Sequence, residues 1–280
     1  MHSHREVNLK SESDMRVLID HCMMLPCDSS SPSVLVGAHA RVMLLAVKSL
    51  KRPRTSEQRD LMTYRLKKLE AMQHPNVVRY LGNNLASGSE DISLVMEAWG
   101  VSVSSLVASK KVFAPDDVFE LSSQMLRALI CLHDAGIVHG DVKPANMLYA
   151  NNVYKLCDID EGGTGTAFYM SARKARRHPQ PSIEDSFSDT YALGLCVLEV
   201  YTGRQPFCEL DNQLVVFARV CAGALPETLK AASREGYHQG CVCLMQAMLD
   251  SDSLVWSKGC RATPTELLSG CLLLREIGEL

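Results

Sequence analysis

The sequence lacks a long apolar run and a strong excess of either charge. No apolar stretch approaches the ~20 residues that a membrane-spanning helix needs, and the polar start MHSHREVNLK has no apolar signal-peptide core. The net charge is -3, so there is no electrostatic reason to expect binding to nucleic acid or to an anionic membrane. These absences argue against a membrane-spanning or secreted protein and against one that binds nucleic acid or a membrane surface. Residues 1–11 are predicted to be a linker.

The sequence also lacks paired cysteines. Its 11 cysteines are an odd number and form no C-x-x-C pair. Most lie in apolar runs, as Cys131, Cys196 and Cys271 do. This usage is typical of reduced, buried thiols and predicts an intracellular protein, either cytoplasmic or nuclear.

The order of the predicted elements indicates two parts. An apolar content of 46% is enough for one large or two modest cores. The first hundred residues alternate like short strands around one helix, predicted over Thr55 to Met72. The rest is mainly helical, and the predicted helices span 116–133, 191–201, 214–220, 242–249 and 265–274. A small β-rich part followed by a larger helical part predicts an α+β fold with two lobes.

The segment IVHGDVKPANML, residues 137–148, carries the clearest chemistry. Asp141, Lys143 and Asn146 suit phosphoryl transfer, because that reaction needs three separate groups in one loop. An aspartate accepts the hydroxyl proton, a lysine neutralises the moving phosphate, and an asparagine holds a metal ion.

This segment resembles the catalytic loop of eukaryotic protein kinases, H-R-D-x-K-x-x-N. Further motifs occur in the family's order, and they are Ala46-Val47-Lys48, His74-Pro75-Asn76, Met96-Glu97-Ala98, Asp158, Gly165-Thr166 and Ser188-Asp189. The resemblance covers nearly the whole chain. It implies a single bilobal kinase-like domain, with an N-lobe over about 12–97, a hinge at 98–100 and a C-lobe over 101–280.

The same resemblance implies ligands and a branch of the family. Lys48, Met96, Glu97 and Ala98 would contact ATP, and Asn146 and Asp158 would hold Mg²⁺. Lys143 after Asp141 is typical of Ser/Thr kinases. HPNVVRYLG resembles the MAP-kinase-kinase-kinase branch, whereas the H-G-D variant is similar to mitotic-checkpoint kinases, which include a kinetochore pseudokinase.

The chain departs from the kinase pattern where ATP is positioned. Asp28 and Ser31 stand at positions of the phosphate-binding loop where the family has glycine, whose backbone N–H groups approach phosphate closely. Arg65 takes the place of the helix glutamate that pairs with Lys48. In a shifted register Glu70 is the nearest acid, and an alternative is that Lys48 pairs with Asp158. Asp160 replaces the glycine of D-F-G, and an alternative alignment uses Asp160-Glu161-Gly162 instead of Asp158.

Two further departures concern the activation segment. Gly140 replaces the arginine of H-R-D, and the long loop whose phosphate that arginine would bind is missing. Arg173 replaces the glutamate of A-P-E, so Glu199 or Glu266 is expected to pair with the late Arg261. The basic residues Lys174, Arg176 and Arg177 follow, and they suggest a docking patch for an acidic or phosphorylated protein.

The sequence thus retains five polar residues needed for phosphoryl transfer, which are Lys48, Asp141, Lys143, Asn146 and Asp158. It loses four supporting features, which are the glycine-rich loop, the helix glutamate, the D-F-G glycine and the A-P-E glutamate. Because the lost features position ATP, and positioning is most of the catalysis here, we expect a pseudokinase that acts as a protein-interaction module. Phosphotransfer would be weak or absent, and the cofactors would be ATP and Mg²⁺ or none. The alternative is an active Ser/Thr kinase with a phosphorylation-independent activation segment. Either could belong to a larger multidomain chain or complex.

Overall fold

A computed structural model describes residues 22–25, 33–37, 45–85, 91–159, 165–177, 186–232, 236–250 and 262–278. The chain divides into two compact units, with the boundary between Trp99 and Gly100. The first unit is built around a sheet and the second mainly from helices. This is the α+β class that the sequence predicts.

Within the described residues, the first unit holds an antiparallel sheet in the order β1-β2-β3-β5-β4. Its strands are β1 (Cys22–Leu25), β2 (Ser33–Gly37), β3 (Leu45–Lys51), β4 (Tyr80–Asn83) and β5 (Asp91–Glu97). Lys48 on β3 lies opposite Leu94 on β5, and Ala46 lies opposite Met96. Since cross-strand partners share a face of the sheet, Lys48 and Met96 lie on the same face.

Helix α1 (Ser56–Ala71) is the single helix predicted for the first hundred residues, and its prediction is confirmed. Thr55 begins it with a capping box: its hydroxyl accepts from the backbone N–H of Gln58 at 3.2 Å, and its own N–H donates to the Gln58 side chain. The buried residues of the helix are Arg65, Leu66 and Leu69, so Arg65 lies on the inward face.

The second unit packs helices around α3 and α5, each of which carries more buried apolar residues than any other described helix. The helices are α2 (Val103–Ala108), α3 (Pro115–Asp134), α4 (Ala172–Arg177), α5 (Ser186–Thr202), α6 (Gln213–Cys221), α7 (Glu227–Ala232), α8 (Gln239–Asp250) and α9 (Pro264–Gly278). The five helices predicted for this part are all present. The short helices α2, α4 and α7 were missed because six residues give too few turns for a periodic apolar pattern.

Helix α3 shows why the long predictions succeed. Pro115 occupies its first turn, where a missing N–H costs nothing, and Asp116 and Asp117 favour the positive end of the helix dipole. Gly136 follows the helix with a φ of 70°, a left-handed conformation that glycine adopts without steric cost. In the part of the chain that the structure describes, no helix is both long and apolar enough to span a membrane.

Gly194, in the buried helix α5, lies against helix α8. A Cβ at this position would lie 2.9 Å from Met248 Cβ and 3.2 Å from Leu249 Cγ. We expect Gly194→Ala to lower the free energy of unfolding by about 1–3 kcal/mol, because overpacking a tight core forces neighbours off their preferred rotamers. Urea unfolding followed by circular dichroism measures the change.

The matched control for this prediction is Gly270→Ala in helix α9. A Cβ there meets nothing within 4 Å, so alanine should be neutral or stabilising by up to ~1 kcal/mol, since it is the better helix former. An equal effect of both substitutions would show that contact with helix α8 is not what requires glycine at position 194.

Candidate active site

A short hairpin brings the two predicted metal-binding residues to one place. A three-stranded sheet in the order β6-β7-β8 contains β6 (Val101–Ser102), β7 (Met147–Ala150) and β8 (Val153–Leu156). Strands β7 and β8 pair antiparallel, with Met147 opposite Leu156. The residue before β7 therefore lies beside the residues after β8, and the N–H of Cys157 donates to the carbonyl of Asn146 at 2.9 Å. Asn146 and Asp158 lie at the same end of this hairpin.

The carboxylate of Asp141 is held by two side chains. Lys143 Nζ donates to Asp141 Oδ2 at 2.7 Å, and Thr166 Oγ1 donates to Oδ1 at 2.9 Å. Lys143 also donates to Thr166 Oγ1 at 3.2 Å, which closes a triangle of hydrogen bonds. Asp141, Lys143 and Thr166 were predicted separately from two motifs, and the structure brings all three together.

The oxygen donors here fit a magnesium ion. Asn146 uses its amide nitrogen to donate to the backbone carbonyl of Asp141 at 2.9 Å, so the amide oxygen is the atom suited to a cation. Asp158 adds a carboxylate at a backbone φ of 65°, which is uncommon for a residue other than glycine. Carboxylate and amide oxygens are ligands that Mg²⁺ accepts.

Asp189 of helix α5 holds the backbone of the catalytic loop by hydrogen bonds. This fully buried carboxylate accepts from the backbone N–H groups of His139 and Gly140, each at 2.8 Å, and from His133 Nε2 at 2.9 Å. Burial opposes the charge, but the hydrogen bonds from His133 and from the N–H of Gly140 outweigh it, so the pKa of Asp189 is lowered. The sequence marked Asp189 as a family motif, whereas it gave no sign of the contact with His133.

His139 supports the loop as a neutral ring. Its Nδ1 accepts from the N–H of Asp141 at 3.1 Å, so the proton resides on Nε2, which donates to the carbonyl of Cys157 at 2.9 Å. Burial lowers the pKa of His139 and keeps it uncharged. The ring thus ties the catalytic loop to the segment that carries Asp158.

The predicted ATP-contacting residues of the first unit lie on two neighbouring strands. Met96 is buried at the end of β5, and Lys48 is half-buried on β3. The N–H of Glu97 donates to the carbonyl of Arg79 at 3.0 Å, and its carboxylate accepts from the N–H of Arg79 at 2.9 Å. Ala98 follows β5 directly. Glu97 is thereby fixed to the segment that precedes β4.

A family model for the protein kinase domain matches residues 30–269 of the chain. The chain belongs to this family. The resemblance drawn from the catalytic loop is thus confirmed, and with it the protein-kinase fold class.

Several relatives place this kinase domain near the MAP-kinase-kinase-kinase branch. Over 66% of its own length, the chain is 27% identical to the serine/threonine-protein kinase SSK22 of Saccharomyces cerevisiae. Over 53% of its own length, it is 37% identical to mitogen-activated protein kinase kinase kinase 1b of Physcomitrium patens. It is 33% identical to mitogen-activated protein kinase kinase kinase 1 of Arabidopsis thaliana over 58%. The matches span 16%, 20% and 28% of these relatives.

Helix α1 of the kinase domain carries Arg65 at the position where the family's glutamate is expected from the sequence. Arg65 is 8% exposed and lies with Leu66 and Leu69 on the inward face. Glu70, the alternative acid, is exposed and accepts from Asn83 Nδ2 at 2.5 Å. The helix runs unbroken through both residues, so Arg65 and Glu70 lie on different faces of it.

The two carboxylates expected to pair with Arg261 have partners among the described residues, and Arg261 itself lies outside those residues. Glu199 is buried and accepts from the hydroxyl of Tyr169 at 2.5 Å, and burial raises its pKa. Glu266 accepts from the N–H and hydroxyl of Thr263 at the start of helix α9. The pairing of Tyr169 with Glu199 was not foreseen, because 30 residues separate them and no local pattern links them.

The structure divides the predicted basic patch on helix α4. Arg176 is exposed, and its Nε donates to the carbonyl of Cys221 at 2.8 Å. Lys174 is half-buried, and its ammonium donates to the carbonyl of Gly140 in the catalytic loop. Arg177 is the last residue of the helix. Lys174 therefore belongs to the surroundings of Asp141 more than to an exposed patch.

Three of the predicted degenerate positions, Asp28, Ser31 and Asp160, lie outside the described residues. Arg261, the predicted partner of the A-P-E glutamate, does so as well. Gly140 is described, and its φ is 81°. A side chain at that position would be strained, so glycine is the residue that best suits this backbone.

Proposed function

We propose that this kinase domain is a pseudokinase of the MAP-kinase-kinase-kinase type that acts by binding protein partners and transfers phosphate weakly. The observation that carries the proposal is Arg65, buried on the inward face of helix α1. In the family that position supplies the carboxylate that holds the strand lysine, here Lys48, against the nucleotide phosphates. An arginine cannot supply it.

The proposal assigns each retained group a limited role. Asp141 is placed to accept the proton of a Ser or Thr hydroxyl, and Lys143 to neutralise the transferred phosphate. Asn146 and Asp158 would hold Mg²⁺, which would bring the charge needed to balance the phosphates of ATP. The reaction is slow because Arg65 leaves the nucleotide poorly positioned, and positioning is most of the catalysis in this chemistry.

Protein partners are the second part of the proposal. The relatives named above include mitogen-activated protein kinase kinase kinases, which supports a partner in the same kind of cascade. Arg176 and Arg177 are the residues of the basic patch that we retain for docking an acidic or phosphorylated protein. Eight cysteines of the described residues are free thiols, which supports an intracellular location, in the cytoplasm or the nucleus.

A second candidate function is an active Ser/Thr kinase that needs no phosphorylation. The triangle of Asp141, Lys143 and Thr166 favours it, because these groups are already hydrogen-bonded to one another. Gly140 and the short segment after Asp158 remove both halves of a phosphate switch. The two candidates differ in whether Arg65 limits the rate.

Arg65→Glu separates the two candidates. If the arginine limits a pseudokinase, glutamate should raise phosphotransfer to a Ser/Thr peptide at least tenfold, about 1.4 kcal/mol of transition-state stabilisation. The apparent affinity for Mg-ATP should rise with it. The measurements are radiolabelled phosphotransfer, and thermal unfolding with Mg-ATP, which at 100 times its Kd stabilises by about 2.7 kcal/mol.

Lys67→Glu provides the matched control, because it reverses one positive charge on the exposed face of the same helix. It should change neither phosphotransfer nor ATP binding. A parental chain that already turns over at about 1 s⁻¹ or faster, typical of kinases, and that slows in Arg65→Glu, would support the active-kinase candidate. No thermal shift with any nucleotide in either protein would exclude ATP from both functions and leave only the interaction module.

A further inference from the structure

Lys174 connects helix α4 to the catalytic loop. Its side chain is half-buried, and its ammonium donates to the carbonyl oxygen of Gly140. It lines a small depression whose walls also include Asp141, Thr166 and Asp189. The sequence predicted a docking role for Lys174. In the structure Lys174 instead contacts Gly140, the residue directly before Asp141, the proposed proton acceptor.

The contact completes the support of Gly140. The N–H of Gly140 donates to Asp189 Oδ1 at 2.8 Å, and its carbonyl accepts from Lys174. That carbonyl is part of the planar peptide bond between Gly140 and Asp141. Its orientation therefore fixes the orientation of the backbone at Asp141. Glycine has more backbone freedom than any other residue. A glycine directly before Asp141 therefore needs both of its backbone groups held.

Because Gly165 has no side chain, the side chain of Lys174 has room to pack against it. Its φ is 89°, and a Cβ built on it would lie 3.1 Å from Lys174 Cε and 3.2 Å from the carbonyl oxygen of Gly140. Both distances are shorter than ordinary van der Waals contact. Gly140, Gly165 and Lys174 thus form one packed arrangement, in which each glycine suits a left-handed backbone and the lysine fills the gap.

We propose that Lys174 is a positioning residue that orients the Gly140–Asp141 peptide and ties residues 165–177 to the catalytic loop without phosphorylation. Its own charge takes over the ordering role that is lost with the H-R-D arginine and the long activation loop. The proposal rests on the proposed function only for its activity readout, since the ordering itself is a property of the folded chain.

Hydrogen exchange on the whole chain tests this role with Lys174→Met, which keeps the length and apolar stem but removes the charge. We expect amide exchange in 139–142 and 165–170 to rise about tenfold, equivalent to ~1.4 kcal/mol, while helix α9 stays unchanged. Lys174→Arg retains a charged donor and should restore at least half of the protection. Lys230→Met is the control, because Lys230 is an exposed lysine paired with Glu227 at 2.7 Å.

Unchanged exchange in Lys174→Met, or a rise of the same size in Lys230→Met, would overturn the proposal. A measurement on the parental protein decides the case if the variant does not fold: acetic anhydride should modify Lys174 about tenfold more slowly than Lys230. Equal rates would rule out the tether.

An activity readout separates this inference from the proposed function. Lys174→Met should lower kcat about tenfold and leave the KM for ATP unchanged, because Lys174 acts on the loop that holds Asp141. An equal kcat would count against positioning. If the parental chain transfers no phosphate, the weak phosphotransfer in the proposed function is contradicted. Hydrogen exchange and lysine modification still decide the role of Lys174 in that case.

Discussion

Asp189→Asn is expected to lower the free energy of unfolding by about 3–5 kcal/mol, the usual cost of removing one partner from a buried, hydrogen-bonded charge network. Asp189 is 1% exposed and accepts from two backbone N–H groups and one imidazole. An asparagine keeps the volume but turns an N–H₂ group toward at least one of these donors. Urea unfolding at neutral pH, followed by circular dichroism, measures the loss.

The pH dependence of the same variant gives an independent check. Because the pKa of Asp189 is lowered by folding, its contribution to stability is present above the unfolded pKa of about 3.9. It is lost as the pH falls through the lowered folded value. The difference between parent and Asp189→Asn should therefore shrink in acid. Asp211→Asn, an exposed carboxylate of the same unit, should stay within ~0.5 kcal/mol of the parent.

A loss below 1 kcal/mol for Asp189→Asn would show that other contacts hold the catalytic loop. Hydrogen exchange at the amides of His139 and Gly140 distinguishes the two cases, because these N–H groups bond directly to Asp189.

Asp141→Asn is expected to lower phosphotransfer about 100-fold or more, in both the parental chain and the faster Arg65→Glu background. General-base groups contribute roughly 10²–10⁴-fold to such reactions. Asparagine cannot take the hydroxyl proton, and its N–H₂ group would face Lys143 or Thr166, which both now bond to the carboxylate. Initial rates with a Ser/Thr peptide and Mg-ATP measure the fall.

Binding and catalysis can be separated in this variant. The thermal shift caused by Mg-ATP should persist in Asp141→Asn, because Asp141 is placed to act on the hydroxyl rather than on the nucleotide. Asp134→Asn, an exposed aspartate at the end of helix α3, should leave the rate unchanged. A rate for Asp141→Asn within twofold of its parent would remove Asp141 from the proposed proton-transfer step.

Much of the fold follows from local patterns. Helix α1 was predicted to within one residue at each end because leucines recur among charged residues, and the structure adds that Thr55 and Gln58 cap its start. Helix α3 was predicted because its apolar residues recur at three and four over five turns. The hairpin β7–β8 was not predicted, because two four-residue strands give no clear alternation.

The proposed chemistry of the catalytic loop was also predicted from the sequence. Asp141, Lys143 and Asn146 are within five residues of one another, so a single loop presents all three. Their residue types limit what they can do, and the family model for the protein kinase domain matches residues 30–269, which include all three.

Only the tertiary structure decided what holds that loop. Asp189 reaches the loop across about 50 residues of chain, Tyr169 reaches Glu199 across 30, and Lys174 reaches Gly140 across 34. Lys174 therefore moved from a predicted surface patch to the support of Asp141. Local propensity and periodicity act over one or two helical turns, whereas these hydrogen bonds exist because packed helices bring distant segments together. The sequence by itself thus determined which groups the loop presents for the proposed phosphotransfer, and packing decided how they are held.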